Sequence, residues 1–223
     1  ITYPEALGSL TRDYETIAVA GAHGKSTTTA MIGLLLVKAG IDPTIIVGTK
    51  LQELGNTNFR KGKSKYLVIE ADEHFASFLN YWPKIIVLTT LEEDHLDYYK
   101  NLNNILRTFR EYVSHLPEDG VLVANGDDKN ISKIKKEQVP RQREQKSKIK
   151  IQNYSLKQPE AEKLKKILKV PGEHNISNAL AALAVARILK IKDEISFKAL
   201  SEYKGSWRRF EIVKEKPFVL ISD

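Results

Sequence analysis

The chain of 223 residues contains no cysteine. This absence excludes a disulfide framework, a thiol nucleophile and a zinc site with cysteine ligands. No apolar run approaches the roughly 20 residues that a membrane-spanning helix needs. The first ten residues also lack a basic segment followed by an apolar one. We therefore expect no membrane insertion and no signal peptide, and we predict a cytoplasmic location.

Aromatic residues are few, at 8% of the chain, although the net charge is +7. Much of the basic excess lies between residues 129 and 169, where acidic residues are interspersed. A basic surface without aromatic residues offers no platform on which bases could stack. We interpret this segment as a solvated face and expect no nucleic-acid partner.

Apolar segments with strand character alternate with segments of helical periodicity. The strands are expected at residues 16–20, 44–47, 66–71, 84–90 and 120–124, and the longest helices at 26–38, 101–115 and 175–190. Near-continuous apolar strands separated by helices indicate a parallel sheet covered on both faces. We predict an α/β fold with a P-loop-type, mainly parallel sheet, and ligands beyond the carboxyl ends of its strands.

The first chemical motif is G-A-H-G-K-S-T at residues 21–27, between a predicted strand and a predicted helix. Glycines allow backbone amides to curl around an anion, and the helix N-terminus adds a favourable dipole. Lys25 can reach terminal phosphates, and the Ser26 hydroxyl can bind Mg²⁺. Because the strict pattern places Gly where Val19 stands, a plain glycine-rich turn is the alternative.

Two acidic motifs follow the next predicted strands. Residues 70–73 read E-A-D-E, and residues 89–97 read T-T-L-E-E-D-H-L-D. A carboxylate such as Glu70 can hold Mg²⁺, and the acidic neighbours of His95 can orient its imidazole towards a metal or an oxyanion. The alternatives are a solvated acidic loop and a helix-capping turn.

Two further motifs lie nearer the end of the chain. Asn175 and Asn178 share a face at the start of the predicted Ala-rich helix, where they could cap the helix or read an adenine edge. Paired arginines at 208–209 suit a phosphate or carboxylate, with plain surface charge as the alternative.

Together these motifs resemble those of the Mur ligase family. The similarity covers the phosphate loop, the E-A-D-E-H-F-A-S-F-L segment at 70–79 and the L-E-E-D-H-L-D-Y segment at 91–98. It extends to G-N-T-N at 55–58, G-V-L-V-A-N-G-D-D at 120–128, H-N-I-S-N at 174–178 and R-R-F at 208–210. The 70–79 segment and Tyr99 are most similar to the member that adds L-alanine.

The resemblance implies how the chain is divided. Residues 1–13 would be the connection from an N-terminal domain that binds a UDP-sugar, and residues 14–212 the central ATP-binding domain. Residues 213–223 would begin the hinge to a C-terminal domain. Both outer domains would be missing, so this piece alone should bind nucleotide weakly and ligate nothing.

The resemblance also implies a role for each matching residue. Catalysis would use Lys25, Glu70 and His95. Ser26 and Glu70 would hold one Mg²⁺, shared by the β- and γ-phosphates, and His95 would hold a second Mg²⁺. Asn58 and His95 would contact the UDP-sugar substrate. Nucleotide binding would involve Gly21, Ala22, His23, Gly24, Lys25, Ser26, Thr27, His174, Asn175, Asn178, Arg209 and Asp223.

The reaction implied is ATP- and Mg²⁺-dependent addition of L-alanine to UDP-N-acetylmuramate through an acyl phosphate, a step in peptidoglycan synthesis. The alternatives are a ligase that attaches a recycled tripeptide to the same sugar, a non-catalytic nucleotide-binding module, and a small-molecule kinase. The joint presence of Lys25, Glu70 and His95 argues against a non-catalytic module.

Overall fold

The computed structural model describes residues 1–136, 149–205, 207, 211–214 and 220–222. The strands are β1 (Glu15–Ala20), β2 (Thr44–Leu51), β3 (Thr57–Arg60), β4 (Tyr66–Glu70), β5 (Ile85–Leu88), β6 (Val121–Asn125), β7 (Lys150–Tyr154), β8 (Glu211–Lys214) and β9 (Leu220–Ser222). The α-helices are α1 (Tyr3–Asp13), α2 (Lys25–Lys38), α3 (Leu96–Tyr99), α4 (Leu102–Val113), α5 (Lys129–Lys136), α6 (Pro159–Ile167), α7 (Glu173–Ile188) and α8 (Asp193–Glu202). Two 3₁₀ helices cover Gln52–Leu54 and His74–Asn80.

Seven strands form one sheet in the order β3-β2-β4-β1-β5-β6-β7. All neighbouring pairs are parallel except β2 and β3, which are antiparallel. Strands β8 and β9 pair with each other in a separate antiparallel ribbon. The predicted α/β fold with a mainly parallel sheet is confirmed.

The sheet is covered on both faces because side chains alternate along its strands. In β1, Ile17 and Val19 belong to one apolar core, and Ala18 and Ala20 to the other. Helices α2, α6, α7 and α8 contribute to the first core, and α1, α4 and α5 to the second. Among the described residues, no helix is both long and apolar enough to cross a bilayer.

The elements predicted from apolar periodicity are all present, with shifts of a few residues at their ends. The predicted helix at 175–190, for example, begins two residues earlier, at Glu173. Several elements were not predicted: helices α1, α3, α5, α6 and α8, the edge strands β3 and β7, and the 3₁₀ helices. Strand β7 has a mostly exposed burial pattern, so it lacks the apolar run that marks a central strand.

The strand order places a topological switch point at β1. The chain runs from β1 outwards through β2 and β3, returns to β4, and then crosses to β5 on the other side of β1. The carboxyl ends of β4, β1 and β5 therefore lie side by side, with Val19 opposite Glu70 and Ala20 opposite Leu88. In open parallel sheets this is where ligands bind, and the three predicted motifs that follow these strands meet there.

Candidate functional site

The phosphate loop has the backbone that its glycines allow. Gly21 and Gly24 have φ values of 136° and 82°, which side chains disfavour. A Cβ at Gly24 would also lie 2.4 Å from Asn178 Oδ1. Helix α2 begins directly afterwards, at Lys25, so the sharp turn aims the start of the helix at the cleft.

The first half of the loop is tied to the segment after β5. Ala22 N donates to Thr90 O at 2.9 Å, and His23 N donates to Thr90 Oγ1 at 3.0 Å. The His23 imidazole pairs with the exposed Glu92 carboxylate. The backbone amides of the first turn of α2 have no acceptor within the helix. These amides, rather than those of Ala22 and His23, are the donors left for an anion at the helix N-terminus.

Lys25 is held by the loop and by an acidic neighbour. Its Nζ donates to Gly21 O at 2.8 Å and to Glu73 Oε1 at 2.9 Å, with Ala22 O at 3.5 Å. The side chain is 18% exposed. The ammonium therefore lies at the floor of the cleft, in a fixed position beside the helix N-terminus.

Ser26 and Glu70 form a second pair of polar groups on the side of the loop towards β4. Ser26 Oγ donates to Glu70 Oε2 at 3.0 Å, and Gly48 N donates to Glu70 Oε1. A hydroxyl and a carboxylate at this separation are the hard oxygen ligands that Mg²⁺ prefers. Two of the three residues predicted as metal ligands are thus in direct contact.

Glu73 was not singled out from the sequence, yet it connects the predicted catalytic residues. It is 3% exposed, and besides the ion pair with Lys25 its Oε1 lies 3.7 Å from His95 Nε2. The Tyr99 hydroxyl donates to its backbone carbonyl. The signal that could have identified it is the repulsion among three carboxylates at 70–73, which a nearby cation relieves.

His95 stands in a left-handed backbone conformation, with φ 51° and ψ 41°. Its amide donates to Asp94 Oδ1 at 2.7 Å, and its ring stacks on His74 with 4.3 Å between centroids. His95 belongs to two groups of three residues whose possible ligand atoms all lie within 4.8 Å of one another. One group contains Asp72 and Glu73, and the other contains His74 and Asp97. The described residues around His95 can therefore hold a metal ion.

The opposite wall of the cleft is the first turn of α7, and its groups are uncharged amides. Asn178 is buried; its Oδ1 accepts from Thr28 Oγ1 at 3.1 Å, and its Nδ2 donates to Asn175 Oδ1 at 3.4 Å. Asn175 Nδ2 donates to Pro171 O at 2.6 Å. The N-cap of α7 is Gly172, so the interpretation of these asparagines as N-caps is wrong.

The two walls enclose a cleft of about 470 Å³, a size typical of small-molecule sites. The phosphate loop, the predicted α7 residues and several residues that were not predicted line it together. The lining residues are Ala22, His23, Gly24, Lys25, Ser26, Thr27, Thr89, Thr90, Val170, His174, Asn175, Ser177, Asn178, Tyr203 and Gly205.

Of the predicted site residues that the structure describes, Gly21, Glu70, His95 and Asn58 do not line this cleft. Gly21 and Glu70 contact its lining through Lys25 and Ser26, and His95 lies beside Glu73, the partner of Lys25. Asn58 is exposed on the edge strand β3, which β2 and β4 separate from β1, and it does not line the cleft. Arg209 and Asp223 lie outside the described residues.

The last residue of β6 and the segment after it make hydrogen bonds to the loop that follows β5. Asn125 Nδ2 donates to Thr89 O at 2.9 Å, and Asp128 Oδ2 accepts from Leu91 N at 2.9 Å. Asp128 Oδ1 also accepts from the amides of Asn130 and Ile131 in α5. These positioning contacts were missed, although polar residues directly after an apolar strand are the signal that could have indicated them.

Comparisons with known proteins agree with this geometry. The UDP-N-acetylmuramate–L-alanine ligase of Clostridium acetobutylicum is 39% identical over 237 residues, covering 100% of this chain and 52% of the relative. The protein of the same name from Caldicellulosiruptor bescii is 40% identical over 226 residues, covering 95% of this chain and 50% of the relative. The chain thus spans about half the length of these curated relatives.

Among solved structures, UDP-N-acetylmuramate–alanine ligase of Thermotoga maritima superposes with a TM-score of 0.77 at 26% identity, covering 96% of this chain and 52% of that one. A family model described as Mur ligase middle domain matches residues 19–186. This match includes the phosphate loop, Glu70, His95 and the first turn of α7. The chain therefore belongs to the Mur ligase family and contains its middle domain.

Proposed function

We propose that this chain is the ATP-binding central part of a cytoplasmic ligase that adds L-alanine to UDP-N-acetylmuramate, a step of peptidoglycan synthesis. Two curated relatives at 39–40% identity carry that name. The proposal depends on one observation: Lys25, the Ser26–Glu70 pair and His95 meet at one edge of the sheet. A nucleotide-binding module without catalysis has no need of all of them.

The uncharged wall suits a nucleoside and the charged wall suits phosphates. Amide groups such as those of Asn175 and Asn178 can donate to and accept from a base edge, with His174 beside them in the cleft. Lys25 and the amides that open α2 would hold the terminal phosphate. In this orientation the phosphate to be transferred would lie beside Glu73 and His95.

The residues present fit a bound Mg²⁺. Ser26 Oγ and Glu70 Oε2 supply adjacent hard oxygens, and Glu73 Oε2 is buried with no donor in the described part of the chain. We propose Ser26, Glu70 and His95 as metal ligands. Bound Mg²⁺ would lower the repulsion between a carboxylate and a polyphosphate.

In the proposed reaction, an oxygen of the muramate carboxylate attacks the γ-phosphorus and the bond to the ADP oxygen breaks. The alanine amine then attacks the acyl carbon, loses a proton, and phosphate leaves. Lys25 stabilises the charge on the transferred phosphoryl group, and Asn58 would contact the sugar substrate. The outer parts of the full-length protein would bring the sugar and the amino acid, with residues 1–13 and 213–223 as connections.

The test is Lys25→Ala in the full-length protein. We expect L-alanine-dependent ADP release to fall by on the order of 10²–10³ or more. The melting temperature should also fall, because the buried Glu73 carboxylate loses its counterion, so turnover is measured below the melting temperature of the variant. Normal turnover in this variant would refute the phosphate-loop assignment. Offering the wild-type protein L-alanine and a tripeptide in parallel separates the alanine-adding reaction from tripeptide recycling.

A further inference from the structure

Glu73 is a buried carboxylate without a role in the proposed reaction. Its Oε1 accepts from Lys25 at 2.9 Å, whereas its Oε2 is buried and has no donor among the described residues. Burial of an ionised carboxylate is unfavourable unless its charge is compensated. Glu73 is therefore held with one oxygen paired and the other still able to accept a cation.

Each of the three N–H donors of the Lys25 ammonium already has an acceptor. An ammonium has three N–H donors, and three acceptors surround this one: Gly21 O, Ala22 O and Glu73 Oε1. A phosphate oxygen that binds Nζ must displace one of them. The two carbonyls belong to the loop backbone, whereas Glu73 is a side chain whose charge repels a phosphate. Glu73 is therefore the partner that an incoming phosphate separates from Lys25, provided that another cation compensates the charge of Glu73.

A second cation position adjoins the same carboxylate of Glu73. Its Oε1 is 3.7 Å from His95 Nε2, and the ligand atoms of Asp72, Glu73 and His95 all lie within 4.8 Å of one another. Two carboxylates and an imidazole are ligands for a divalent cation. A cation bound there would neutralise the Glu73 carboxylate and replace Lys25 as its counterion.

We propose that Glu73 exchanges its cationic partner when nucleotide binds. It pairs with Lys25 while the cleft is empty, and with a divalent cation beside His95 once a metal–nucleotide complex is bound, which releases Lys25 to the terminal phosphate. The inference rests on the proposed function, since it requires that the cleft binds such a complex. Glu73 is then a positioning residue that acts on the phosphates through Lys25, and it couples metal binding to phosphate binding.

The test is Glu73→Gln in the full-length protein, with a non-hydrolysable ATP analogue titrated calorimetrically in EDTA and in Mg²⁺. In EDTA we expect the variant to bind about tenfold more tightly than wild type, because a repelling charge is gone and Lys25 is free. The gain in affinity on adding Mg²⁺ should be about tenfold smaller than in wild type, since linked binding is reciprocal. Mn²⁺ binding in the presence of the analogue, followed by electron paramagnetic resonance, should weaken by about tenfold.

Glu93→Gln is the matched control, because it removes an exposed carboxylate from the neighbouring 91–97 segment and should behave as wild type. Glu73→Asp keeps the charge and should retain weak binding in EDTA, which preserves the test if the Gln variant does not fold. Equal weakening of binding in EDTA and in Mg²⁺ by Glu73→Gln would show a structural role and overturn the inference. A gain in affinity on adding Mg²⁺ that is the same in the variant and in wild type would also overturn the inference. Absence of nucleotide binding by wild type would instead overturn the proposed function.

Discussion

The two walls of the cleft differ in how their polar groups are satisfied. The wall built from the ends of β1, β4 and β5 adjoins a charged group. Lys25 and Ser26 line the cleft and contact Glu73 and Glu70, and His95 lies beside Glu73. The wall built from α7 carries neutral amides, which are bonded to a hydroxyl, a backbone carbonyl and each other. The charged wall leaves a buried oxygen of Glu73 without a donor among the described residues.

This difference indicates which wall depends on a cation. Charged groups at a strand edge interact strongly with ions and phosphates, and a change there should alter the metal dependence. Neutral amides interact with a ligand at short range and independently of metal. The contributions of the two walls can therefore be distinguished by measuring nucleotide binding of each variant in Mg²⁺ and in EDTA.

The largest effect among the remaining changes is expected for Glu70→Gln on the charged wall. The variant keeps one acceptor near Gly48 N and Ser26 Oγ but loses the charge, so the turnover rate should fall by on the order of 10²–10³. Analogue binding in EDTA should remain close to that of wild type. Glu15→Gln is the control, since Glu15 forms an exposed ion pair with Lys65 at the opposite end of the sheet. Equal turnover in both variants would contradict a metal role for Glu70.

A smaller effect is expected for Asn178→Ala on the neutral wall. Loss of its amide leaves Thr28 Oγ1 and Asn175 Oδ1 without their partner, which should lower the free energy of unfolding by about 1–3 kcal/mol. Affinity for the ATP analogue should fall by about tenfold, by the same factor in Mg²⁺ and in EDTA. Asn153→Ala, on the exposed edge strand β7, is the control. A loss of affinity for the analogue that occurs only with Mg²⁺ would contradict the distinction between the two walls.

The smallest effect is expected for Tyr154→Phe, beneath the site. Burial raises the pKa of Tyr154 well above its usual range, and its hydroxyl donates to Leu88 O at 3.2 Å. At neutral pH the variant should lose about 1 kcal/mol of stability with nucleotide binding unchanged. Above about pH 10 only the unfolded tyrosine ionises, so the wild-type free energy of unfolding should fall more steeply than that of the variant, by about 1.4 kcal/mol per pH unit.

Denaturant titrations between pH 8 and 11 measure both the loss of stability and the slope. Tyr98→Phe is the control, because Tyr98 is 41% exposed and its removal should leave the slope unchanged. Identical slopes for wild type and Tyr154→Phe would show that Tyr154 ionises without unfolding.

Most central elements and the phosphate loop could be predicted because their signals are local. A buried parallel strand is a short apolar run, and β1, β4, β5 and β6 each have one. Strand β3 has none, because it is an edge strand with exposed residues such as Asn58 and Phe59. Its antiparallel pairing with β2 depends on chain reversal and not on periodicity.

By itself, the sequence determined the fold class, and it predicted that the motifs containing Lys25, Glu70 and His95 follow strands at one edge of the sheet. These follow from apolar periodicity and from motifs placed directly after strands. Only the tertiary structure decided which partners meet across that edge. Glu73 lies 48 positions from Lys25, and Thr28 lies 150 positions from Asn178. Such pairings are set by strand order and helix packing, which local sequence does not encode.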